Sequence, residues 1–137
     1  MKGSYLGNYF DEEEIKETLN EIGAEFSQMT EKDLIEKTAL EISNGKAIGW
    51  FQGRMEFGPR ALGNRSIIGD PRSETMQKNL NLKVKFRESF RPFAPSVLEE
   101  DVSNQFELNN TSPYMILVAR VKKENCKFSK EKLVANL

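Results

Sequence analysis

The residues best suited to chemistry lie in one stretch, Gly53–Ser66, with the sequence GRMEFGPRALGNRS. It holds three glycines, one proline and three arginines, Arg54, Arg60 and Arg65. Glycines let a loop expose backbone N–H groups to a ligand, and a guanidinium offers paired donors that match phosphate or carboxylate oxygens. The stretch therefore predicts a loop that binds an oxyanion. The alternative is that the arginines form structural ion pairs with nearby acids, namely Glu56, Asp70 or Glu88.

A second group of cations follows in the segment LKVKFRESFRP. If this segment is extended, its basic residues share one side while apolar residues face the other. The apolar run FAPSVL comes directly afterwards and favours a segment pinned to the sheet over a solvated charged strand. We therefore expect cations from both stretches to converge on one ligand. The basic residues of this second group are Lys83, Lys85, Arg87 and Arg91.

The elements that must position these residues follow from hydrophobic spacing, caps and breakers. The pattern predicts a mixed α/β (α+β) fold, with a twisted mixed sheet flanked by helices. Helices are predicted at 11–22, from the N-cap Thr30 to Asn44-Gly45, at 73–82 with Ser73 as the cap, and as one or two turns at 99–106. Strands are predicted at 46–52, 66–69, 94–98 and 114–121, the first and last of them buried, and 83–93 is predicted to be extended chain or loop.

Composition excludes several classes of function. The 137 residues include no histidine and one cysteine, so Ser/His and Cys/His nucleophile pairs within the chain are excluded, and the commonest metal ligand is missing. No metal site is expected. Neither a Walker-type phosphate loop nor a GxGxxG motif is present. Between Arg54 and Arg91 there are nine Lys/Arg against four Asp/Glu, while the rest of the chain is acidic, so a local anion site is favoured over binding to nucleic acid.

Length and hydropathy predict one domain large enough for a real core. The sequence has no apolar run long enough to span a membrane and does not begin with the pattern of a secretory signal. A cytoplasmic protein without membrane partners is therefore expected.

Three segments together resemble a known family. AIGWFQGRMEFGPRALGNRSIIGDPR, LNLKVKFRESFRPFAPSVLEED and SPYMILVARV are similar to the C-terminal domain of the NodU/CmcH/TobZ carbamoyltransferases. The resemblance covers residues 4–121, and it implies a YrdC-like fold for this chain and a Kae1-like N-terminal domain as its partner in a full enzyme. It also implies that carbamoyl phosphate and ATP, with Mg as part of the co-substrate, give carbamoyl adenylate for transfer to a hydroxyl acceptor.

The same resemblance implies which residues bind and act. Arg60 of FGPRALG, Lys85 of LKVKF and Arg91 of SFRPF match the family's carbamoyl-phosphate-binding residues and are the predicted catalytic and substrate-binding cations. A second rank of substrate-binding candidates either binds nucleotide or only holds the loop. These are Arg54, Asn64, Arg65 and Ser66.

One departure from the family shapes the expected activity. The family continues past SPYMILVARV through a His-Asp-Gly-Thr-Ala-Arg segment and a serine-bearing stretch, neither of which follows here. Residues 1–121 are therefore expected to be a family domain incomplete at its C-terminus, and 122–137 a polar tail outside it. We expect weak anion binding and little transfer by this chain alone. The alternatives are a non-catalytic binding or homo-oligomerising module and an RNA-binding YrdC-like domain.

Overall fold

The computed structural model describes residues 3–126 and divides the chain into two units, Met1–Phe93 and Ala94–Leu137. The part of the predicted tail beyond residue 126 lies outside the described residues. The first unit contains α1 (Glu12–Glu21), α2 (Glu31–Ser43), β1 (Ile48–Phe51), β2 (Arg65–Ile68), α3 (Met76–Asn79) and a π-helical turn, Leu80–Val84. The second contains α4 (Val102–Gln105) between two 3₁₀ turns, Glu99–Asp101 and Lys123–Asn125. The predicted mixed α/β class is confirmed.

The two long helices begin and end as their sequence predicts. Asp11 and Glu14 form a reciprocal capping box at the start of α1, with distances of 2.9 and 3.0 Å between side-chain oxygen and backbone nitrogen. The Thr30 hydroxyl accepts the Asp33 N–H at the start of α2. Gly23 and Gly45 follow the two helices with positive φ, which ends each helix without a steric penalty. Helix α2 lies against β1 and so leads the chain into the hairpin.

Strands β1 and β2 pair antiparallel, with Trp50 opposite Ser66 and Phe51 opposite Arg65. The strands predicted at 46–52 and 66–69 are thereby confirmed. Two details of the prediction are wrong, because the described sheet is one antiparallel pair instead of a mixed sheet, and β1 is only partly buried. Successive side chains of β1 point to opposite faces of the pair, and Phe51 is exposed on one face while Trp50 is half-buried on the other.

The strands predicted at 94–98 and 114–121 are not formed. The apolar run 114–121 begins with a turn in which Met115 has φ of +54°, and its one bridge joins Phe106 to Val121. Val118 is fully exposed, so the predicted buried position is also wrong. Apolar composition favoured a strand here, but a strand needs a neighbour to take its hydrogen bonds, and the described part of the second unit provides only that bridge. The one or two helical turns predicted at 99–106 are confirmed.

The helix predicted at 73–82 is shorter than expected and changes its winding. It begins at Met76 without a side-chain cap, and it continues into the π-helical turn, in which the Lys85 N–H donates to the Leu80 carbonyl at 2.9 Å. Lys83 and Val84 are therefore helical instead of extended. The prediction that the cations from Lys83 to Arg91 alternate along one side of an extended chain is wrong, because a five-residue turn rotates successive side chains around its axis.

Apolar burial in the described chain is concentrated at the start of α3 and of the π-helical turn, where Met76 and Leu80 are 6% and 5% exposed. Most other large apolar side chains remain partly open to solvent, because two strands and short helices enclose little volume. The extensive core predicted from chain length is therefore absent from residues 3–126. Within this same range, no helix has the length and apolar character needed to cross a bilayer.

The loop between β1 and β2 is organised around the carboxylate of Glu56, which is only 4% exposed. Its Oε1 accepts backbone N–H groups from Leu62 and Asn64, each at 2.7 Å, and from Arg65 at 3.3 Å. Burial by itself raises the pKa of Glu56, but these backbone donors together with its own N–H outweigh burial and hold the pKa below 4.5. The carboxylate of Glu56 thus joins the two ends of an exposed loop, residues 57–61, and holds those ends in place.

The N-terminal segment 4–8 lies against this loop and is hydrogen-bonded to Met55 and Leu62. The Gly7 N–H donates to the Met55 carbonyl and the Met55 N–H to the Asn8 carbonyl, both at 2.9 Å. The Tyr5 hydroxyl donates to the Leu62 carbonyl at 3.0 Å. A Cβ on Gly7 would lie 2.9 Å from the Met55 carbonyl oxygen, so only glycine permits this approach.

We expect Glu56→Ala to lower the free energy of unfolding by on the order of 2–4 kcal/mol, because three partly buried N–H groups lose their acceptor. Glu56→Gln keeps one acceptor oxygen without the charge and should have an intermediate effect. Urea unfolding followed by the fluorescence of Trp50, the chain's single tryptophan, measures both. Glu36→Ala, at a carboxylate 67% exposed on α2, is the matched control and should change stability by less than about 0.5 kcal/mol. Equal losses for Glu56→Ala and Glu36→Ala would contradict the organising role.

A second expectation concerns acid stability. The Arg72 side chain and backbone N–H hydrogen-bond to Asp70 and lower the pKa of that carboxyl from 3.8 to about 2. Because the folded pKa lies below the unfolded one, the pair's contribution is complete above pH 3.8 and is lost as pH falls towards about 2. Urea midpoints measured between pH 5 and pH 2 should fall less in Asp70→Asn and Arg72→Met than in the wild type. Parallel wild-type and variant curves would be the opposite result.

Candidate functional site

We call Gly53–Ser66 the arginine loop and 83–91 the basic segment. In the arginine loop, Arg65 is used to hold the fold. Its Nη1 donates to the carbonyls of Gln52 and Asn64, at 2.7 and 2.8 Å, and its Nη2 donates to Gly53 at 3.1 Å. The guanidinium carbon lies 3.5 Å from the ring centroid of Phe51, so the group is stacked on the strand that its donors close.

Arg54 and Asn64 also serve the loop's own backbone. Arg54 donates from Nη1 to the Gly7 carbonyl at 3.2 Å and lies 5.9 Å from the Tyr9 ring centroid. Asn64 donates from Nδ2 to the Arg54 carbonyl at 2.8 Å and accepts from Gln52 at 3.2 Å. The sequence left open whether these residues bind nucleotide or hold the loop, and their contacts favour holding it.

Ser66 has a comparable local partner, because its Oγ accepts the Gly63 N–H at 3.0 Å. This bond joins the start of β2 to the glycine turn that precedes it. Gly63 has φ of +112°, a conformation that a side chain would strain. The four second-rank candidates therefore form one connected set around the end of the hairpin.

Arg60 differs from the other two arginines of the loop. It lies in the exposed loop between Glu56 and Leu62, directly after Gly58-Pro59. Its guanidinium forms no hydrogen bond or ion pair with any residue in 3–126. No residue in 3–126 therefore occupies the N–H donors of the Arg60 guanidinium, and they are available to bind a ligand.

Lys85 and Arg91 lie on either side of a loop that follows the π-helical turn. Within 3–126 the Lys85 ammonium forms no hydrogen bond or ion pair, while its backbone N–H closes the turn. Arg91 forms an exposed ion pair with Glu88, 3.2 Å from Nε to Oε2, and lies 5.9 Å from the Phe90 ring centroid. The N–H of Glu88 itself and the Arg91 guanidinium hold the pKa of Glu88 below its ordinary value. Among residues 3–126, Arg60 makes no hydrogen bond, ion pair or ring contact with Lys85 or Arg91, so their convergence on one ligand stays a prediction.

The alternative that the three arginines of the loop form structural ion pairs is wrong within residues 3–126. Glu88 pairs with Arg91, which lies outside the arginine loop. Asp70 pairs with Arg72, which lies outside the arginine loop. Glu56 binds backbone N–H groups instead of a guanidinium, so the three arginines of the loop are not neutralised by it.

Sequence reasoning missed the residue that holds the basic segment, Asn81, whose side chain is fully buried. Its Nδ2 donates to the carbonyls of Ser89 and Arg91, and its Oδ1 accepts from Nε of Arg87. The available signal was an asparagine between two leucines in NLNLKV, since a polar residue within an apolar run must find partners once it is buried.

Comparison with known proteins completes the description of this site. Residues 39–135 match the family described as Carbamoyltransferase C-terminus. This match includes the arginine loop, the basic segment and most of 122–137, which the sequence had assigned to a tail outside the family. It covers well over half of the chain.

Similarity to individual proteins agrees with this family match. The chain is 57% identical over 126 residues to an uncharacterized protein of Synechocystis sp., covering 90% of this chain and 20% of that protein. It is 46% identical over 123 residues to the nodulation protein NolO of Bradyrhizobium diazoefficiens, covering 88% of this chain and 22% of NolO. It is 40% identical over 84 residues to the 3'-hydroxymethylcephem-O-carbamoyltransferase of Streptomyces clavuligerus, covering 61% of this chain and 16% of that enzyme. The chain thus spans about a fifth of the length of the first two relatives, and it belongs to the carbamoyltransferase family through that family's C-terminal domain.

Proposed function

We propose that this YrdC-like domain binds carbamoyl phosphate and ATP, and that carbamoyl adenylate forms on it. The carbamoyl group then passes to a hydroxyl acceptor held by a Kae1-like domain of the full-length protein. The name of the related cephem O-carbamoyltransferase supports transfer to an oxygen acceptor.

The observation that carries the proposal is the unequal use of the three arginines in one loop. The guanidinium groups of Arg54 and Arg65 are bonded to backbone carbonyls, while that of Arg60 has no partner within 3–126. A long cationic side chain on a loop fixed at both ends by Glu56 is suited to bind an anion, because the loop loses little further freedom on binding. Arg60 is therefore the leading anion-binding residue.

Lys85 and Arg91 supply the second part of the proposed pocket. The Lys85 ammonium is open to solvent, and Arg91 is tied only by an exposed ion pair, a kind that contributes about 0–1 kcal/mol. A phosphate dianion can replace such a weak partner. Together with Arg60, these groups would place three positive charges around a ligand rich in anionic oxygens.

The two steps that form carbamoyl adenylate both require positive charge near the reacting oxygens. Water first cleaves carbamoyl phosphate to carbamate and phosphate, and a carbamate oxygen then attacks the ATP α-phosphorus with pyrophosphate as the leaving group. Negative charge builds on oxygens in both steps, and fixed cations stabilise it without reorganising. Arg60, Lys85 and Arg91 bind and orient carbamoyl phosphate and ATP, and they stabilise the negative charge that develops on the two substrates.

Magnesium would enter with ATP. Residues 3–126 contain no group of three or more Asp, Glu or Cys side chains placed to hold a metal ion. Mg²⁺ bound to ATP is held chiefly by phosphate oxygens and water, with few protein ligands. The ion therefore fits this site as part of the substrate.

Calorimetric titration of carbamoyl phosphate into the 137-residue chain tests the pocket. Arg60→Ala, Lys85→Ala and Arg91→Ala should each weaken binding by about tenfold to hundredfold, because each removes charge-assisted hydrogen bonds. Lys32→Ala removes one positive charge from an exposed position on α2 and is the matched control, with no change in affinity expected. Unchanged heats in all three variants, Arg60→Ala, Lys85→Ala and Arg91→Ala, would refute the proposed pocket.

Glu88 gives a prediction of opposite sign. Its carboxylate lies 3.2 Å from Nε of Arg91 and competes with an anionic ligand for that guanidinium. Glu88→Gln should therefore tighten carbamoyl phosphate binding by about two- to fivefold, as expected for removing an exposed ion pair. The same titration measures this, with Glu36→Gln on α2 as the control. Weaker binding by Glu88→Gln would show that Glu88 supports the pocket instead of competing with it.

A further inference from the structure

We propose that Gln77 is a positioning residue for Arg91. Its side-chain amide holds the backbone from which the Arg91 side chain extends, and so determines where that guanidinium can meet a phosphate group. This inference rests on the proposed function, because Gln77 would act on carbamoyl phosphate only through Arg91.

The amide of Gln77 reaches from α3 to the end of the basic segment. Its Nε2 donates to the carbonyl oxygens of Phe90 and Arg91, at 3.3 and 3.1 Å. A carboxamide nitrogen carries two hydrogens, so both donors are used on adjacent carbonyl groups. Gln77 therefore joins parts of the chain that lie 13 and 14 residues apart.

Helix α3 provides a fixed base for this amide. Met76, next to Gln77, is 6% exposed and packs against Gly69, the residue that follows β2. A Cβ on Gly69 would lie 2.8 Å from Cγ of Met76, so the helix approaches the end of β2 closely. The backbone of Gln77 is thus held against the hairpin, and its side chain extends from a defined position.

The backbone of Arg91 is constrained at both of its polar groups. Its carbonyl oxygen accepts from Gln77 and, at 2.8 Å, from Nδ2 of Asn81, and its N–H donates to the Glu88 carbonyl at 3.2 Å. Pro92 follows, and a proline restricts the backbone conformation of the residue before it. Within 3–126 the Arg91 guanidinium has one polar partner, the exposed Glu88 carboxylate. The main chain is therefore fixed while the guanidinium can exchange its partner for a ligand.

Gln77 and Asn81 differ in what their loss would do. Asn81 is 0% exposed, so removing its amide would leave buried carbonyl groups without a donor and destabilise the fold. Gln77 is exposed, so water can replace its donor hydrogens when they are removed. Substitution of Gln77 should therefore loosen the backbone at Arg91 while the chain stays folded.

A looser backbone at Arg91 should lower the affinity for carbamoyl phosphate. A guanidinium binds phosphate best when its paired N–H groups are aligned with two oxygens. If the main chain that carries it is free to move, that freedom must be lost when the ligand binds. The contribution of Gln77 is thus to order Arg91 before the ligand arrives.

Calorimetric titration of carbamoyl phosphate into the full 137-residue chain tests this role. Gln77→Met keeps a long flexible side chain without donors and should weaken binding by about three- to tenfold, as expected for the loss of one or two hydrogen bonds. Gln28→Met is the matched control, because Gln28 is exposed and its side chain forms no hydrogen bond within 3–126, and wild-type affinity is expected. Circular dichroism of each variant gives the folded fraction to which the affinity is referred.

Double variants show whether Gln77 acts through Arg91. In the Arg91→Ala background, Gln77→Met should weaken binding no further. In the Lys85→Ala background it should weaken binding by the same factor as in the wild type, because the Gln77 amide holds Arg91 and not Lys85. An equal further loss in both backgrounds would indicate general destabilisation and would overturn the positioning role.

A measurement on the wild type tests the contact even if Gln77→Met does not fold. The side-chain NH2 hydrogens of Gln77 should exchange with solvent more slowly than those of Gln28, because they are bonded to carbonyl groups. Nuclear magnetic resonance can follow both side chains in one sample. Equal exchange rates for Gln77 and Gln28 would overturn the inference.

The outcomes separate this inference from the proposed function. Wild-type affinity in Gln77→Met, together with weakened binding in Arg91→Ala, would overturn the role of Gln77 and leave the proposed function intact. No binding of carbamoyl phosphate by the wild type would overturn both proposals.

Discussion

The arrangement of the first unit depends on one buried carboxylate. Glu56 gathers three backbone N–H groups that lie six to nine residues further along the chain, and so closes a loop that has no helix or strand of its own. Burying a charge is unfavourable unless it is fully hydrogen-bonded, and here the donors outweigh burial, which keeps the group ionised. Without that acceptor, the N–H groups of Leu62 and Asn64 would favour other loop conformations, and the position of Arg60 would no longer be defined.

Asn81 has the same role for the basic segment, with a neutral amide in place of a carboxylate. Both anchors are polar residues buried beneath exposed cations, and neither depends on a large apolar core. This matters in a chain where Met76 and Leu80 are the buried apolar residues of the described part. Apolar contacts are non-directional, whereas a hydrogen-bonded anchor specifies where each backbone group must lie. Polar anchors therefore fix loop geometry that this limited apolar burial would leave loose.

The sequence predicted what is decided locally. The cap at Thr30 and the glycine after α2 act within one turn, so residue type alone determined them. Contacts between distant residues were not readable in this way. The run 114–121 has strand-like composition, yet the strand depends on a neighbour that composition does not reveal. Likewise, the sequence left Glu56 open as one alternative ion-pair partner of the arginines, because nothing local shows that backbone N–H groups will reach its carboxylate.

The different roles of the arginines follow from the charge of their partners, because a carboxylate neutralises a guanidinium and a carbonyl group does not. A carbonyl satisfies a guanidinium's donors but leaves its charge intact, so Arg54 and Arg65 hold the fold and still contribute positive potential. The arginine loop therefore carries three guanidinium charges against the single carboxylate of Glu56. That carboxylate faces inward onto N–H groups, while Arg60 extends outward. Structural arginines thus raise the local potential for an anion that a different arginine is free to bind.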